Sequence, residues 1–321
     1  MSGPIAGGTE SGEAESDNTT ELDQVPGLPG LYRQALALAA RRRMGREDAP
    51  SYLPDVQHVV QGVTADRAEL TRFQHLLRSA VRDQLPSAYL HTLAFPVAMS
   101  VLARPDFPLP LLGMVHLSNE VHQSRQVGAS EHLEITARAE DLRAHPAGTQ
   151  VDLVTEISVD GERVWTGRSV YLARGVRIAS GTGTPDAPVR PAFSPPVPTG
   201  VWRLDAGTGR RYAAVSGDWN PIHLSRPTAK LLGMKGAIAH GMYLAARMVD
   251  RAVPAPSGAI DWRIDFHTPV PLPGTVTTSF RRSDEDGGRI DVVGWSTELR
   301  RPHFTGWVHP DRNDPDGPTT A

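Results

Sequence analysis

The chain has 321 residues, with 33 Lys and Arg against 36 Asp and Glu, 30 glycines, 28 prolines and no cysteine. Such a length suggests about two domains, each able to bury a core. The missing cysteine excludes disulfides, thiolate metal sites and a cysteine nucleophile, so any chemistry falls to Asp, Glu, His, Ser, Thr, Tyr, Lys or Arg. A net charge of −3 gives no support for nucleic-acid or membrane-surface binding.

Residues 1–25 carry Glu10, Glu13, Glu15, Asp17, Glu21 and Asp23 with no Lys or Arg, and are poor in aromatic and branched apolar residues. Burial there cannot offset the entropy of ordering, so a disordered acidic tail is expected. It lacks the basic and apolar regions of a secretory signal. Pro29 to Arg46 has apolar residues at helical spacing and arginines at its end, which predicts a helix. Val56–Val63 reads as a short strand and Asp66–Val81 as a helix. Pro86–Leu102 is apolar on nearly all sides and opens with proline, as a buried helix does, with a kink expected at Pro96. Val115–Val127, Glu131–Ala139, Thr149–Val159 and Arg163–Ala173 alternate in part, and Asp160-Gly161 marks a hairpin turn. Together they predict an antiparallel meander round the buried helix.

Residues 175–200 are rich in Gly, Pro, Ser and Thr and read as a linker. The order of elements then repeats: a strand at Val201–Leu204, a short helix at Gly209–Val215, a longer apolar helix at Gly241–Val253, and strands at Ile260–His267, Thr275–Phe280, Ile290–Glu298 and His303–His309, with a tight turn at Asp286-Gly287-Gly288. Residues 311–321 read as a polar tail. The longest nearly apolar runs, Leu93–Ala103 and Phe107–Val115, are shorter than the roughly 20 residues a spanning helix needs. A cytoplasmic protein is expected.

Chemistry concentrates between Tyr212 and Met242. Ser216-Gly217-Asp218 ends a short helix on glycine, and Asn220-Pro221 forces a turn able to aim Asp218 and His223 the same way. A carboxylate beside an imidazole is an acid/base pair that can hold and polarise a water. Ala239-His240-Gly241 opens the longer helix, where a glycine N–H is unpaired, backed by the helix dipole and unobstructed by a side chain. Gly207-Thr208-Gly209 and Gly181-Thr182-Gly183 are isolated glycine pairs and weak signals for a dinucleotide site.

Tyr212, the run Ser216-Gly217-Asp218-x-Asn220-Pro221-Ile222-His223 and His240-Gly241-Met242 resemble the hydratase 2 motif of the MaoC-like (R)-specific enoyl-CoA hydratases and 3-hydroxyacyl-thioester dehydratases. The match covers residues 212–249, and strand order extends it over 201–309. The resemblance implies an α+β double hot-dog fold, two modules each with an antiparallel sheet wrapped round a long central helix. The N-terminal module, residues 26–174, lacks the motif and is the degenerate one, implied to shape the acyl cavity; the catalytic one spans 201–310. In that family the matched Asp218 and His223 hold the catalytic water and the Gly241 N–H binds the thioester oxygen. Asn220 belongs to the same turn and His240 stands beside it. Lys230, Lys235, Arg247 and Arg226 are close enough in sequence to meet the phosphates or pantetheine of coenzyme A.

The resemblance thus implies reversible hydration of trans-2-enoyl thioesters to (3R)-3-hydroxyacyl thioesters, with coenzyme A or acyl carrier protein as part of the substrate. Neither a separate cofactor nor a metal is expected, since Asp218, His223 and His240 lack the helical His-x-x-x-His spacing of a zinc pair. A homodimer is compatible with open sheet edges. Two other readings stand beside this one: a thioesterase on the same fold, and a non-catalytic acyl-thioester binding protein. The run from Ser216 to His223 argues against the first, and the intact Asp218, His223 and Gly241 against the second.

Overall fold

The computed structural model describes residues 18–45, 48–178, 192–231, 233–254, 258–283 and 288–310. The first half of the chain contains β1 (Thr19–Glu21), α1 (Leu28–Arg43), β2 (Gln57–Val63), α2 (Arg67–Leu77), α3 (Ser87–Leu102), β3 (Val115–Gln123), β4 (Leu133–His145), β5 (Gly148–Val159) and β6 (Glu162–Arg174). The second contains β7 (Gly200–Leu204), α4 (Thr208–Ser216), a 3-10 turn (Pro221–His223), α5 (Arg226–Leu231), α6 (Gly241–Ala252), β8 (Ile260–Phe266), β9 (Gly274–Arg282), β10 (Ile290–Ser296) and β11 (Arg301–Pro310).

Among the described residues, all eleven strands join one sheet in the order β1-β2-β4-β5-β6-β3-β8-β11-β10-β9-β7. From β2 inward the order is β2, β4, β5, β6, β3; from β7 inward it is β7, β9, β10, β11, β8. Each half therefore uses the same winding, and the halves join where β3 runs antiparallel to β8, from Ser118 opposite Asp265 to Gln123 opposite Ile260. Counterparts also meet elsewhere: α2 packs on α4, and α3 on α6. Contacts between equivalent elements are what a two-fold relation between the halves produces. This is the α+β double hot-dog arrangement, and the repeat of element order seen along the chain is a repeat in space.

The central helix of the first half, α3, has thirteen of its sixteen residues buried, as a helix enclosed by a sheet requires. Pro96 lies within it and contributes no N–H to the helix. In the β5–β6 hairpin, Asp160 and Gly161 both take positive φ, 50° and 80°, as a two-residue turn between twisted strands demands. Asp66 caps α2 by accepting from the N–H groups of Ala68 (2.7 Å) and Glu69 (2.9 Å), and Arg78 ends it with a left-handed φ of 62°. The predicted helix therefore stops at Leu77 rather than Val81.

Other expectations need correcting. Of the predicted tail, residues 1–17 lie outside the described residues, but Thr19–Glu21 pairs in parallel with Gln57–Val59, and Leu22 and Val25 pack on the core. Backbone bonds to β2 and two apolar anchors order this segment, which average composition conceals. Helix α5 carried no periodic signal; it is six residues long and has Pro227 in its first turn, where a missing N–H costs little. In the linker, residues 179–191 lie outside the described residues, whereas Thr199 and Gly200 pair with Thr278 in the sheet. Asp286 and Gly287 of the predicted turn, and the polar tail 311–321, also lie outside.

One hydroxyl ties the two halves together. Ser87 Oγ accepts the indole N–H of Trp165 on β6 (3.2 Å) and of Trp262 on β8 (2.9 Å), and both rings are fully buried. Ser87→Ala leaves two buried indole donors without an acceptor, at about 1–3 kcal/mol each before any relaxation. Urea unfolding should show about 2 kcal/mol or more of lost stability; a loss below about 0.5 kcal/mol would show that the hydroxyl bears no such load.

Candidate active site

The site is built on the turn that follows α4. Gly217 ends that helix with φ 72°, a conformation suited to glycine, and directs Asp218 out of the helical path. Asp218 Oδ1 accepts from the Asn220 N–H (3.2 Å), and Asn220 Oδ1 accepts from the Ile222 N–H (3.3 Å), which caps the 3-10 turn carrying His223. Gly209 lets this turn lie against α4, since a Cβ there would collide with the His223 carbonyl oxygen. That close approach is the role of Gly209 alone; a Cβ at Gly207 would meet Arg211 and Asp205 instead.

His223 Nδ1 donates to the Ile238 carbonyl (2.9 Å). Only a protonated Nδ1 can make that bond, so Nε2 carries the free lone pair. His240 uses Nε2–H to donate to the Asp218 carbonyl (3.0 Å) and lies 3.8 Å from Asp218 Oδ2. The two imidazoles stack with centroids 3.7 Å apart. Gly241 follows as the first residue of α6, where its N–H precedes the first intrahelical bond. A Cβ at Gly241 would stand 2.8 Å from the ring of Phe266, so any side chain there would have to displace that ring.

The first half of the chain completes the surroundings. Tyr32 on α1 donates its hydroxyl to Asp218 Oδ1 (2.9 Å), a contact spanning 186 residues of sequence. His116 on β3 stacks on Tyr171 of β6 (4.5 Å) and leans on Phe266 (5.1 Å), the ring that a Cβ at Gly241 would displace. Burial raises the pKa values of Tyr32, Tyr171 and Tyr212, and the Asp218 charge raises them further. Each of these phenols remains a donor at neutral pH. Burial pushes His91 down to about 4, with Asp218 opposing it, and His116 down to about 3. His223 and His240 are both lowered by burial, His240 also by its stacked neighbour, so neutral rings surround one carboxylate.

Asp218, His223, Asn220, His240 and Gly241 thus come together as the motif suggested. Lys230 and Lys235 are exposed on α5 and the loop after it. Arg247 is held against the Trp202 indole, 4.6 Å from its centroid, with Nη1 3.4 Å from the Tyr243 hydroxyl. Sequence reasoning missed Tyr32, Tyr171, His91 and His116. Only His91 left a visible signal, as a lone imidazole in an apolar helix. One ligand atom each from Asp218, His223 and His240 lies within 4.8 Å of the others. A metal shared by all three would compete with the bond from His240 Nε2 to the Asp218 carbonyl, leaving only its buried Nδ1 uncommitted.

Comparison with known proteins gives a consistent picture. The family model described as the MaoC like domain matches residues 190–299. Over 292 residues, 89% of this chain and 99% of the relative, the sequence is 33% identical to 3-hydroxyacyl-thioester dehydratase X of Mycobacterium tuberculosis. The crystal structure of HtdX from Mycobacterium tuberculosis matches with a TM-score of 0.68 at 32% identity, covering 78% of this chain and 99% of that one. A MaoC-like dehydratase from Phytophthora capsici shares the fold, with a TM-score of 0.61 at 17% identity over 81% of this chain and 96% of that one.

The buried histidines make stability depend on pH with a defined sign. His58, His91, His116, His223, His240 and His303 all lie below the ordinary value of 6.5, chiefly through burial. Below pH 6.5 the unfolded chain binds protons that the folded chain refuses, so stability falls with pH in that range, while above 6.5 these groups contribute no slope. Thermal melts should give a Tm that declines steadily from about pH 6.5 to pH 4; an unchanged Tm over that range would contradict burial of these rings.

Proposed function

This chain belongs to the MaoC-like dehydratase family, and on that premise we propose that it catalyses the reversible hydration of trans-2-enoyl thioesters to (3R)-3-hydroxyacyl thioesters. One observation carries the reading: Asp218 and His223 present two acceptors to one small space, beside the free N–H of Gly241. Oδ1 of Asp218 is occupied by Tyr32 and Asn220, so Oδ2 is the oxygen left to face His223 Nε2. A water there gives one hydrogen bond to each acceptor and turns a lone pair outward.

The thioester oxygen accepts from the Gly241 N–H, which draws electrons from the conjugated double bond and makes C3 electrophilic. The water oxygen bonds to C3 as its proton passes to the Asp218/His223 pair. The π electrons move onto the thioester oxygen, and the resulting enolate collapses as the pair delivers a proton to C2. Dehydration follows the same path backward. The depressed basicity of His223 keeps it neutral and ready to accept at neutral pH.

Asn220 and His240 act here as positioning residues, one capping the turn and the other bonding the Asp218 carbonyl. Coenzyme A or acyl carrier protein enters as part of the substrate in the cytoplasm, its phosphates met by the exposed Lys230 and Lys235. Arg247 is committed to Trp202 and is left out of that role. Each residue named at the site comes from one chain, so a homodimer at the open sheet edges is not needed to complete it.

Crotonyl-CoA tests the assignment, because its enoyl absorbance disappears on hydration while thiol release reports hydrolysis instead. The expected product is the (3R)-hydroxy thioester without free thiol; thiol release without hydration would establish a thioesterase, and no change would leave a binding protein. Asp218→Asn or His223→Ala in folded protein should lower turnover by about a hundredfold or more. Near-normal rates would sink the assignment. Tyr32→Phe removes a donor to the carboxylate without touching substrate, so kcat should fall about tenfold, equivalent to about 1.4 kcal/mol, while KM moves less than about twofold. A change confined to KM would place Tyr32 in substrate binding instead.

A further inference from the structure

The two-fold relation between the halves gives every element of the site a counterpart. The turn after α4 corresponds to the loop after α2, the first turn of α6 to that of α3, and Phe266 at the end of β8 to Gln123 at the end of β3. At those counterparts the structure holds a cleft of about 90 Å³ that opens onto solvent. Ser79, Ala80 and Gln84 of the loop, Ser87 and Ala88 of α3, and Gln123 form one side. Val249 and Asp250 of α6, with Ile260 at the start of β8, face them. Asp218, His223 and Gly241 are not among its lining residues. Because Gln123 pairs with Ile260 at one end of the β3–β8 ladder and Ser118 with Asp265 near the other, the cleft and the site lie toward opposite ends, about 17 Å apart at roughly 3.3 Å per residue.

The chemistry of the active site is missing from the cleft. Where the motif would stand, the chain reads Ser79-Ala80-Val81-Arg82-Asp83-Gln84, with no histidine and with Asp83 turned outward to Arg67 (3.0 Å). The means of binding persist. Helix α3 has no side-chain cap, so the first N–H groups of its opening turn are available. Gln123 Oε1 is buried without a hydrogen-bond partner, while its Nε2 donates to the Arg125 carbonyl (2.7 Å). Gln84 and Gln126 add neutral amides, and Leu77, Val249 and Val253 form an apolar wall reaching between the two central helices. Asp250, bonded by the Ser79 hydroxyl, is pushed upward by burial while Arg251, Arg247 and Arg82 oppose the shift.

We propose that this cleft is a second, non-catalytic binding site for the ligand class of the catalytic site, an acyl thioester with its pantetheine arm. It rests on the reading of the Asp218 site as the thioester site. The helix N-terminus meets the carbonyl, the apolar wall takes the acyl chain, and the glutamines meet the amides of the arm.

Decanoyl-CoA has no double bond to hydrate, so the wild-type protein can be titrated with it directly by calorimetry. Two equivalents per chain are expected. Ala80→Trp and Gln126→Trp, at exposed and half-buried lining positions, should each reduce the count to one while crotonyl-CoA turnover stays within about twofold of wild type. One equivalent or none in the wild type overturns the proposal, as does retention of two equivalents in both variants. Loss of turnover together with the second equivalent in folded protein would place the cleft on the catalytic path and overturn its separateness. Two bound equivalents with no hydration of crotonyl-CoA would instead refute the catalytic reading and leave the cleft standing.

Discussion

The antiparallel pairing of β3 with β8 is the constraint on which the rest of the molecule depends. It makes one sheet of two five-stranded windings with β1 added at one edge, and it sets the central helices α3 and α6 against each other. It carries Trp262 toward Ser87, where the indole of Trp165 already ends, so the hydrophobic cores of the halves share a buried polar pin. The same ladder brings His116 of the first half against Phe266 of the second. Without that register the loop bearing Asp218 would have no opposing wall.

Burial then decides the electrostatics. Asp218 retains a side-chain exposure of 19%, but its neighbours are neutral rings and phenols rather than cations. Two donors fix one carboxylate oxygen, and the other lies 3.8 Å from His240 Nε2. Stabilisation of this kind uses dipoles already in place, so little reorganisation is needed as charge develops on a substrate. The cost appears in the acid range, where half a dozen suppressed histidines oppose the folded state.

The halves share a winding but not a task. The second holds the turn bearing Asp218 and His223 and the glycine-opened helix α6. The first supplies Tyr32, His116 and Tyr171 as the wall opposite. At the other end of the junction, the first half keeps its own helix opening but has Ser87 where the second has Gly241, and that hydroxyl serves the indoles.

The sequence by itself determined whatever is local. Asp160-Gly161, the buried periodicity of Ser87–Leu102, Gly217 at the end of α4, and the short span from Asp218 to His223 all act within a few residues, where steric limits and turn chemistry are sufficient. It also showed the repeated order of elements, because periodicity marks elements without knowledge of their partners. Thr19–Glu21 escaped notice since a three-residue edge strand exists only through its bonds to β2. Tyr32 escaped for the same reason on a larger scale: nothing within α1 signals an acceptor 186 positions away. Which oxygen of Asp218 is free, which nitrogen of His223 bears the proton, and which half forms the opposing wall were decided by tertiary structure alone, because each depends on contacts made only when the two halves close along β3 and β8.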